Sequence, residues 1–311
     1  MITKQFSFLS ADRHTRIYAV KWLPDNQQYK AVLQITHGMM EHIMRYQEFA
    51  EFLTTQGFLV VGHDHLGHGR TAVTAEKLGY FAKSSPSDVL IADMHQLYRI
   101  ISGENPGLPY FILGHSMGSY LFRKYLATYQ DPLAGALIIG TGFIPPAKTL
   151  LGLTLVHCIV LIKGWHHRSP LITKLTFGNS YHSLPSDSQQ DSGNWLTRDL
   201  EIIKKNKADP YANFRFTLNG YKGLFQTVFF VCLQKNIKKI PKGLPVLIAS
   251  GDQDPVGDMG KGVEKVYQLF QDAGIQDLQC KLYPGARHEI LNEINRQEIY
   301  GDLLNWMKAH L

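Results

Sequence analysis

The segment Gly114-His115-Ser116-Met117-Gly118 ends an apolar, β-prone run that starts at Tyr110, and an amphipathic helical pattern begins directly behind it. A serine hydroxyl at such a turn can act as a nucleophile if the turn presents it and its neighbours carry no side chains. The helix N-terminus behind it favours the negative charge that develops when a carbonyl is attacked. The pentad alone is a weak signal, because a plain Gly-rich strand-to-helix turn looks the same. Its context is stronger: Pro109 opens the strand, and Leu121, Phe122, Tyr125 and Leu126 share one helical face.

A serine hydroxyl needs a base to take its proton, and the base needs a carboxylate to hold it in one tautomer. His288 is the candidate base, since of 14 histidines it is the one in a loop directly after the final strand with a helix behind it. Asp254 is the candidate acid. Asp252 and Asp258 are its rivals, the first nearer the strand end and the second placed to begin the next helix. The chain order Ser, Asp, His is that of the α/β-hydrolase arrangement. A tetrahedral intermediate also needs backbone donors, for which the Met39 and Met117 amides are the candidates. Met39 follows an apolar strand ending in His37-Gly38, and Met117 follows the nucleophile.

One spacing points elsewhere. His63, His65 and His68 have the H-x-H-x-x-H pattern that binds zinc in some hydrolases, but Gly67 stands where an Asp usually precedes the last His. These histidines are read as part of a Gly-rich loop, and no metal or other cofactor is expected.

These residues need elements to position them. Three β-like segments open the chain, at Gln5 to Ser10, Arg16 to Leu23 and Ala31 to Thr36. A helical run through Tyr46, Phe49, Ala50 and Leu53 closes at Gly57, and Phe58 to Gly62 is the next strand. Helical periodicity from Ser87 to Ser102, the Tyr110 strand, a helix from Ser119 to Gln130 and the continuous apolar run Gly135 to Gly140 follow. Such alternation makes a parallel sheet buried on both faces. The rhythm resumes with a strand at Leu244 to Gly251, a helix at Met259 to Ala273, a strand at Leu278 to Tyr283 and a helix at Glu298 to His310. The expected fold is an α/β-hydrolase with eight mostly parallel strands. Each candidate catalytic group lies just past the carboxyl end of a strand, where ligands bind in open α/β sheets.

Between these halves the alternation lapses over residues 143–235, and the expectation is a helical cap inserted into a single domain. The apolar run Leu150 to Ile162 is too short for a bilayer span, so it is read as a cap helix, packed in preference to membrane-facing. No stretch reaches the ~20 apolar residues of a transmembrane helix and no signal peptide opens the chain, so the expected location is cytoplasmic, with peripheral membrane contact through the cap left open.

The 311 residues suit one large α/β domain. Cys158, Cys232 and Cys280 read as buried reduced thiols. The formal charge of +6 would favour anionic surfaces. The lysines, however, concentrate in runs at Lys204 to Lys207 and Lys235 to Lys242, which read as solvated faces, and no nucleic-acid-binding pattern accompanies them.

With these residues in hand the chain resembles the monoglyceride lipase and lysophospholipase branch of the α/β-hydrolases. It is similar to that branch in H-G-x-x-E-H-x-x-R-Y (His37, Gly38, Glu41, His42, Arg45, Tyr46), in D-x-x-G-H-G (Asp64, Gly67, His68, Gly69) and in G-H-S-M-G. It is similar also in G-x-x-D at Gly251 to Asp254 and in Y-x-G-x-x-H at Tyr283 to His288, which carry the family's acid and base onto Asp254 and His288. The stretches Trp195 to Asp199, Ala208 to Pro210 and Phe214 to Leu224 resemble the cap of bacterial lysophospholipase-like relatives. Met39, Met40, Thr71 and Ser119 depart from the usual residues, and the two methionines imply a narrower acyl pocket. The resemblance implies a cofactor-free serine hydrolase that cleaves esters of single-acyl-chain lipids, monoacylglycerol or lysophospholipid, through an acyl-enzyme on Ser116. A short-acyl carboxylesterase, a prolyl-iminopeptidase-like peptidase and a non-catalytic binding protein on the same fold are the alternatives.

Overall fold

The computed structural model describes residues 1–178 and 194–311. Eight strands form one sheet: β1 (Ile2–Leu9), β2 (Arg16–Leu23), β3 (Ala31–Thr36), β4 (Phe58–His63), β5 (Tyr110–His115), β6 (Gly135–Ile139), β7 (Val246–Gly251) and β8 (Leu278–Tyr283). Their order is β1-β2-β4-β3-β5-β6-β7-β8, with β1–β2 and β2–β4 antiparallel and the rest parallel. β1 begins and ends earlier than the expected Gln5 to Ser10, because Ile2 already pairs with Leu23 of the neighbouring strand.

The central strands are buried on both faces, and successive side chains supply two separate cores. Val32, Tyr110, Ile112, Ala136, Ile138, Val246 and Ile248 point into one. That core packs against α2 (Pro86–Glu104), α3 (Met117–Thr128), α7 (Leu218–Val231) and α9 (Lys261–Asp272). Leu33, Ile35, Phe111, Leu113, Leu137, Ile139 and Leu247 point into the other, against α1 (Gln47–Thr55) and α10 (Arg296–Lys308). Trp306 of α10 lies against Gly135, where a Cβ would come within 2.7 Å of its ring.

Between β6 and β7 the described chain is helical: α4 (Pro146–Lys163), α5 (Pro170–Phe177), α6 (Leu200–Ala208), α7 and α8 (Gln234–Ile237). The stretch after Arg168 reads in sequence as a polar loop through Ser192; α5 forms at its start, capped by Ser169, and residues 179–192 lie outside the described residues. α4 differs from expectation. It runs 18 residues, long and apolar enough by length and composition to cross a membrane, and only Thr149 and Val156 are buried. Leu150, Leu151, Leu161 and Ile162 are exposed, the last two at 87% and 82%. The helix is apolar around its whole circumference, so packing its Gly152 side on Phe225 of α7 leaves an apolar face outward. The thiols differ too: Cys232 is buried, but Cys158 and Cys280 are exposed, because α4 faces solvent and β8 is the edge strand.

Candidate active site

β5 delivers Ser116 to the start of α3 through a backbone that L-residues rarely adopt, φ 53° and ψ −121°. The Ser116 amide donates to the Ile139 carbonyl at 3.0 Å, which ties the turn to β6. Neighbouring positions have no room for side chains: a Cβ on Gly114 would lie 2.6 Å from the Gly118 carbonyl oxygen, and one on Gly118 would collide with the Thr36 carbonyl. α3 therefore begins at Met117, two residues earlier than the helical pattern suggests.

At the end of β3, Gly38 abuts the same turn. A Cβ there would lie 2.9 Å from the Ser116 Cβ and 2.6 Å from Glu41 Oε1. Met39, Met40 and Met117 line the cavity onto which Ser116 opens. Its volume is about 100 Å³, and Tyr120, Leu224, Phe225 and Val228 give it an apolar wall.

His288 lines this cavity as well, and His288 Nδ1 lies 2.9 Å from Asp254 Oδ2 with both side chains buried. Asp254 is held in turn: Ser250 Oγ donates to Oδ2 at 2.9 Å and the Val256 amide to Oδ1 at 2.8 Å. Of the three aspartates after β7, Asp254 is the one paired with His288. Asp252 Oδ1 instead accepts from the Gly285 amide, and Asp258 lines a neighbouring chamber. Asp258 has φ 50° and precedes α9, which starts at Lys261. The base loop is also braced by the segment between α5 and α6. The His288 amide donates to the Trp195 carbonyl at 3.3 Å, the Glu289 amide to the Leu196 carbonyl at 2.7 Å, and the Trp195 ring lies 5.0 Å from the His288 ring.

Behind these residues lies a buried charge network that residue spacing alone does not reveal. Glu41 Oε1 accepts from the Gly38 amide at 2.5 Å and from Tyr46 Oη at 2.9 Å, and lies 3.0 Å from His115 Nδ1. Arg45 donates to Glu41 Oε2 at 3.0 Å and to both oxygens of Glu289 at 2.8 and 2.7 Å. His115 Nε2 meets the His288 carbonyl at 3.3 Å. Burial pushes the Glu41 carboxyl up, but the hydrogen bond and charge of His115, together with Arg45, outweigh it and bring it down to about 2. Burial likewise disfavours a charged His115, and Glu41 more than compensates, so its imidazole is raised above the usual range. The network joins the Gly38 turn to the backbone of His288. Glu41 and Arg45 stand in a motif visible in the sequence, but the meeting with His115 and Glu289 depends on the end of β5 and the loops after β3 and β8 converging.

His37, His63, His65 and His68 lie together and fully buried. The His65 amide donates to His37 Nε2 at 3.0 Å, and His37 Nδ1 donates to the Gly38 carbonyl at 2.8 Å. The ring nitrogens of His63 and His65 and Nε2 of His68 have no hydrogen-bond partner, and the His63 and His65 rings meet edge to face at 4.8 Å. Burial pushes His63 down to about 3 and His68 to about 4. Among the described residues no three His, Cys, Asp or Glu side chains are grouped to hold a metal ion.

The family model described as "Serine aminopeptidase, S33" matches residues 27–295. The chain is 27% identical to a monoacylglycerol lipase of Mycolicibacterium smegmatis, over 95% of this chain and 94% of the relative. It is 28% identical to the monoglyceride lipase of Homo sapiens, over 88% and 80%. A crystal structure of a thermostable carboxyl esterase from Bacillus coagulans in complex with glycerol superposes with a TM-score of 0.90, at 28% identity and 99% coverage of both chains. The sheet order, the strained serine turn and these similarities agree: the chain belongs to this hydrolase family, within the monoglyceride lipase-like branch of the α/β-hydrolases.

Proposed function

We propose that this α/β-hydrolase cleaves carboxylic esters of single-acyl-chain lipids, monoacylglycerol or lysophospholipid, with Ser116 as nucleophile, His288 as base and Asp254 as the residue that orients it. The observation that carries this reading is the strained Ser116 turn, opening on an apolar cavity that is also lined by His288, whose ring is paired with the buried Asp254. His288 accepts the Ser116 Oγ proton as Oγ attacks the ester carbonyl. The resulting oxyanion accepts hydrogen bonds from the Met39 and Met117 amides, each worth about 3 kcal/mol of transition-state stabilisation. Collapse expels the glycerol-bearing alcohol, to which His288 returns the proton. Water, deprotonated by His288, then attacks the acyl-enzyme and releases the fatty acid and Ser116.

A long acyl chain would extend past the Ser116 cavity into the adjoining chamber. The space at Ser116 is about 100 Å³, below the roughly 300–1,000 Å³ of ordinary ligand pockets, and the adjoining chamber adds about 630 Å³. The family description names an aminopeptidase, but a peptidase of that kind needs a free carboxylate to hold the substrate amine. The two acids lining the cavity, Glu41 and Glu289, are both committed to Arg45. Asp199, Glu201 and Asp209 are paired with Arg296, Lys204 and His42, and none of them lines it. Asp187 and Asp191 lie outside the described residues.

The inserted helices over residues 143–235 act in this reading as a lid, since Ile144, Thr176, Leu224, Phe225 and Val228 wall the cavity. The exposed apolar face of α4 supports transient contact with a membrane surface, with the helix lying on the bilayer in the manner of an interfacial helix.

Initial rates on p-nitrophenyl esters from acetate to palmitate, monooleoylglycerol, lysophospholipids and prolyl-naphthylamide test the proposal, with Ser116→Ala as control. Long single-chain esters are expected to lead, and fluorophosphonate to label Ser116. Activity on acetate and butyrate alone, or no Ser116-dependent turnover, overturns it.

A further inference from the structure

Beyond the Ser116 cavity lies a second chamber of about 630 Å³. Tyr120, Ile144, Thr176, Phe225 and Val256 line both spaces, so the two adjoin. The chamber's lining has two characters. Leu151, Leu155, Ile172 and Leu175, from α4 and α5, are apolar, whereas Lys148, Lys261 and Lys265 bring three cations against the single carboxylate of Asp258. The lysine ion pairs among the described residues involve Lys21, Lys124, Lys204 and Lys281, and none of these three. Lys265 sits over the Phe143 ring at 5.5 Å from its centroid.

The arrangement is net positive, with Asp258 in the lining and Glu264 in the first turn of α9 as the acidic groups beside the three lysines. Lys261 and Lys265 stand one turn apart on α9, a spacing at which like charges repel. Both also lie in the first two turns of α9, toward the positive end of the helix dipole. An anion in the chamber removes both penalties, and a neutral glycerol removes neither.

We propose that this chamber is an anion subsite that receives the phosphate of a single-acyl glycerophospholipid head group while the ester carbonyl lies at Ser116 and the acyl chain lies against the α4–α5 wall. The substrate preference it confers rests on the ester-hydrolase reading above; the anion site itself does not.

Binding is therefore measured first without turnover, in Ser116→Ala protein, with dodecyl phosphate and monolauroylglycerol below their micellar concentrations. Dodecyl phosphate is expected to bind about tenfold more tightly at about 50 mM salt, and the margin to shrink at about 500 mM, because exposed lysines are screened. A Lys148→Gln/Lys261→Gln/Lys265→Gln variant with an unchanged unfolding temperature should bring the ratio to about one. A Lys163→Gln/Lys174→Gln variant, altered on α4 and α5 but outside the chamber lining, should leave it. In the active protein the triple substitution should lower kcat/KM for lysophosphatidylglycerol about tenfold relative to monoacylglycerol. An unchanged ratio, an equal loss for both ligands, or the same loss in the Lys163/Lys174 control overturns the subsite. Retained anion preference with no hydrolysis of any ester would leave the subsite standing and overturn the hydrolase reading alone.

Discussion

Glu41 joins four groups beside Ser116, and its effect is separable from the proposed chemistry. Its carboxylate holds the Gly38 amide, Tyr46, Arg45 and His115 at once. Removing one partner of a buried ion pair leaves the other charges uncompensated, at a cost of about 3–5 kcal/mol. Glu41→Gln is thus expected to lower the unfolding temperature by several degrees and to free the Gly38–Met39 turn, so that kcat falls with less change in KM. Thermal unfolding and steady-state kinetics on one preparation would check both, and an unchanged unfolding temperature would contradict the network's role. The pH sign is definite: folded Glu41 titrates at about 2 against an ordinary 4.5, so its stabilisation is present above about pH 4.5 and is lost as pH falls toward 2. At this scale the sequence was informative where chemistry is encoded by local spacing, as in the pentad around Ser116 and the loop ending at His288. It was silent on His115 and Glu289, because each is only a neighbour in sequence of a recognisable residue.

Among the elements, α4 departs furthest from its sequence reading. Apolar length identifies a helix, but whether that helix is covered depends on how much of its circumference the fold can face, and α7 covers one side only. The outward residues Leu161 and Ile162 contribute little to the folded core, since they are 87% and 82% exposed. A Leu161→Ser/Ile162→Ser variant is therefore expected to unfold within about 0.5 kcal/mol per substitution of the parent. Its partitioning onto phospholipid vesicles should weaken about thirtyfold or more, the two lost side chains together removing roughly 2–4 kcal/mol of apolar burial. Vesicle sedimentation measures the second effect and urea denaturation the first; undiminished sedimentation would exclude α4 as the contact.

For the molecule as a whole, the buried titratable groups set an acid limit. His37, His63, His65 and His68 are held neutral by burial, all below the ordinary 6.5, so the stability they permit is complete above about pH 6.5 and is lost as pH falls toward their folded values. Asp64 and Asp93 act in the opposite sense, because burial raises them to about 6 and about 7. Near pH 5 the unfolded chain binds four protons on these histidines that the folded chain does not, and the folded chain keeps two on these aspartates. The net of two protons corresponds to a slope of up to about 3 kcal/mol per pH unit. The urea midpoint is expected to fall steeply from pH 6.5 to 5, and less steeply in a His63→Phe variant; a flat profile would show that the cluster takes up protons while folded. The sequence by itself determined the eight strands, the order of the chemical groups and the family, because strand periodicity and turn residues are local properties and each group sits at a strand end. Only the tertiary structure decided that Glu41 and Arg45 join His115 and Glu289, that α4 is left uncovered, and that three lysines line one chamber. Those outcomes depend on distances between residues far apart in the chain, which the sheet order and helix packing impose and no local pattern records.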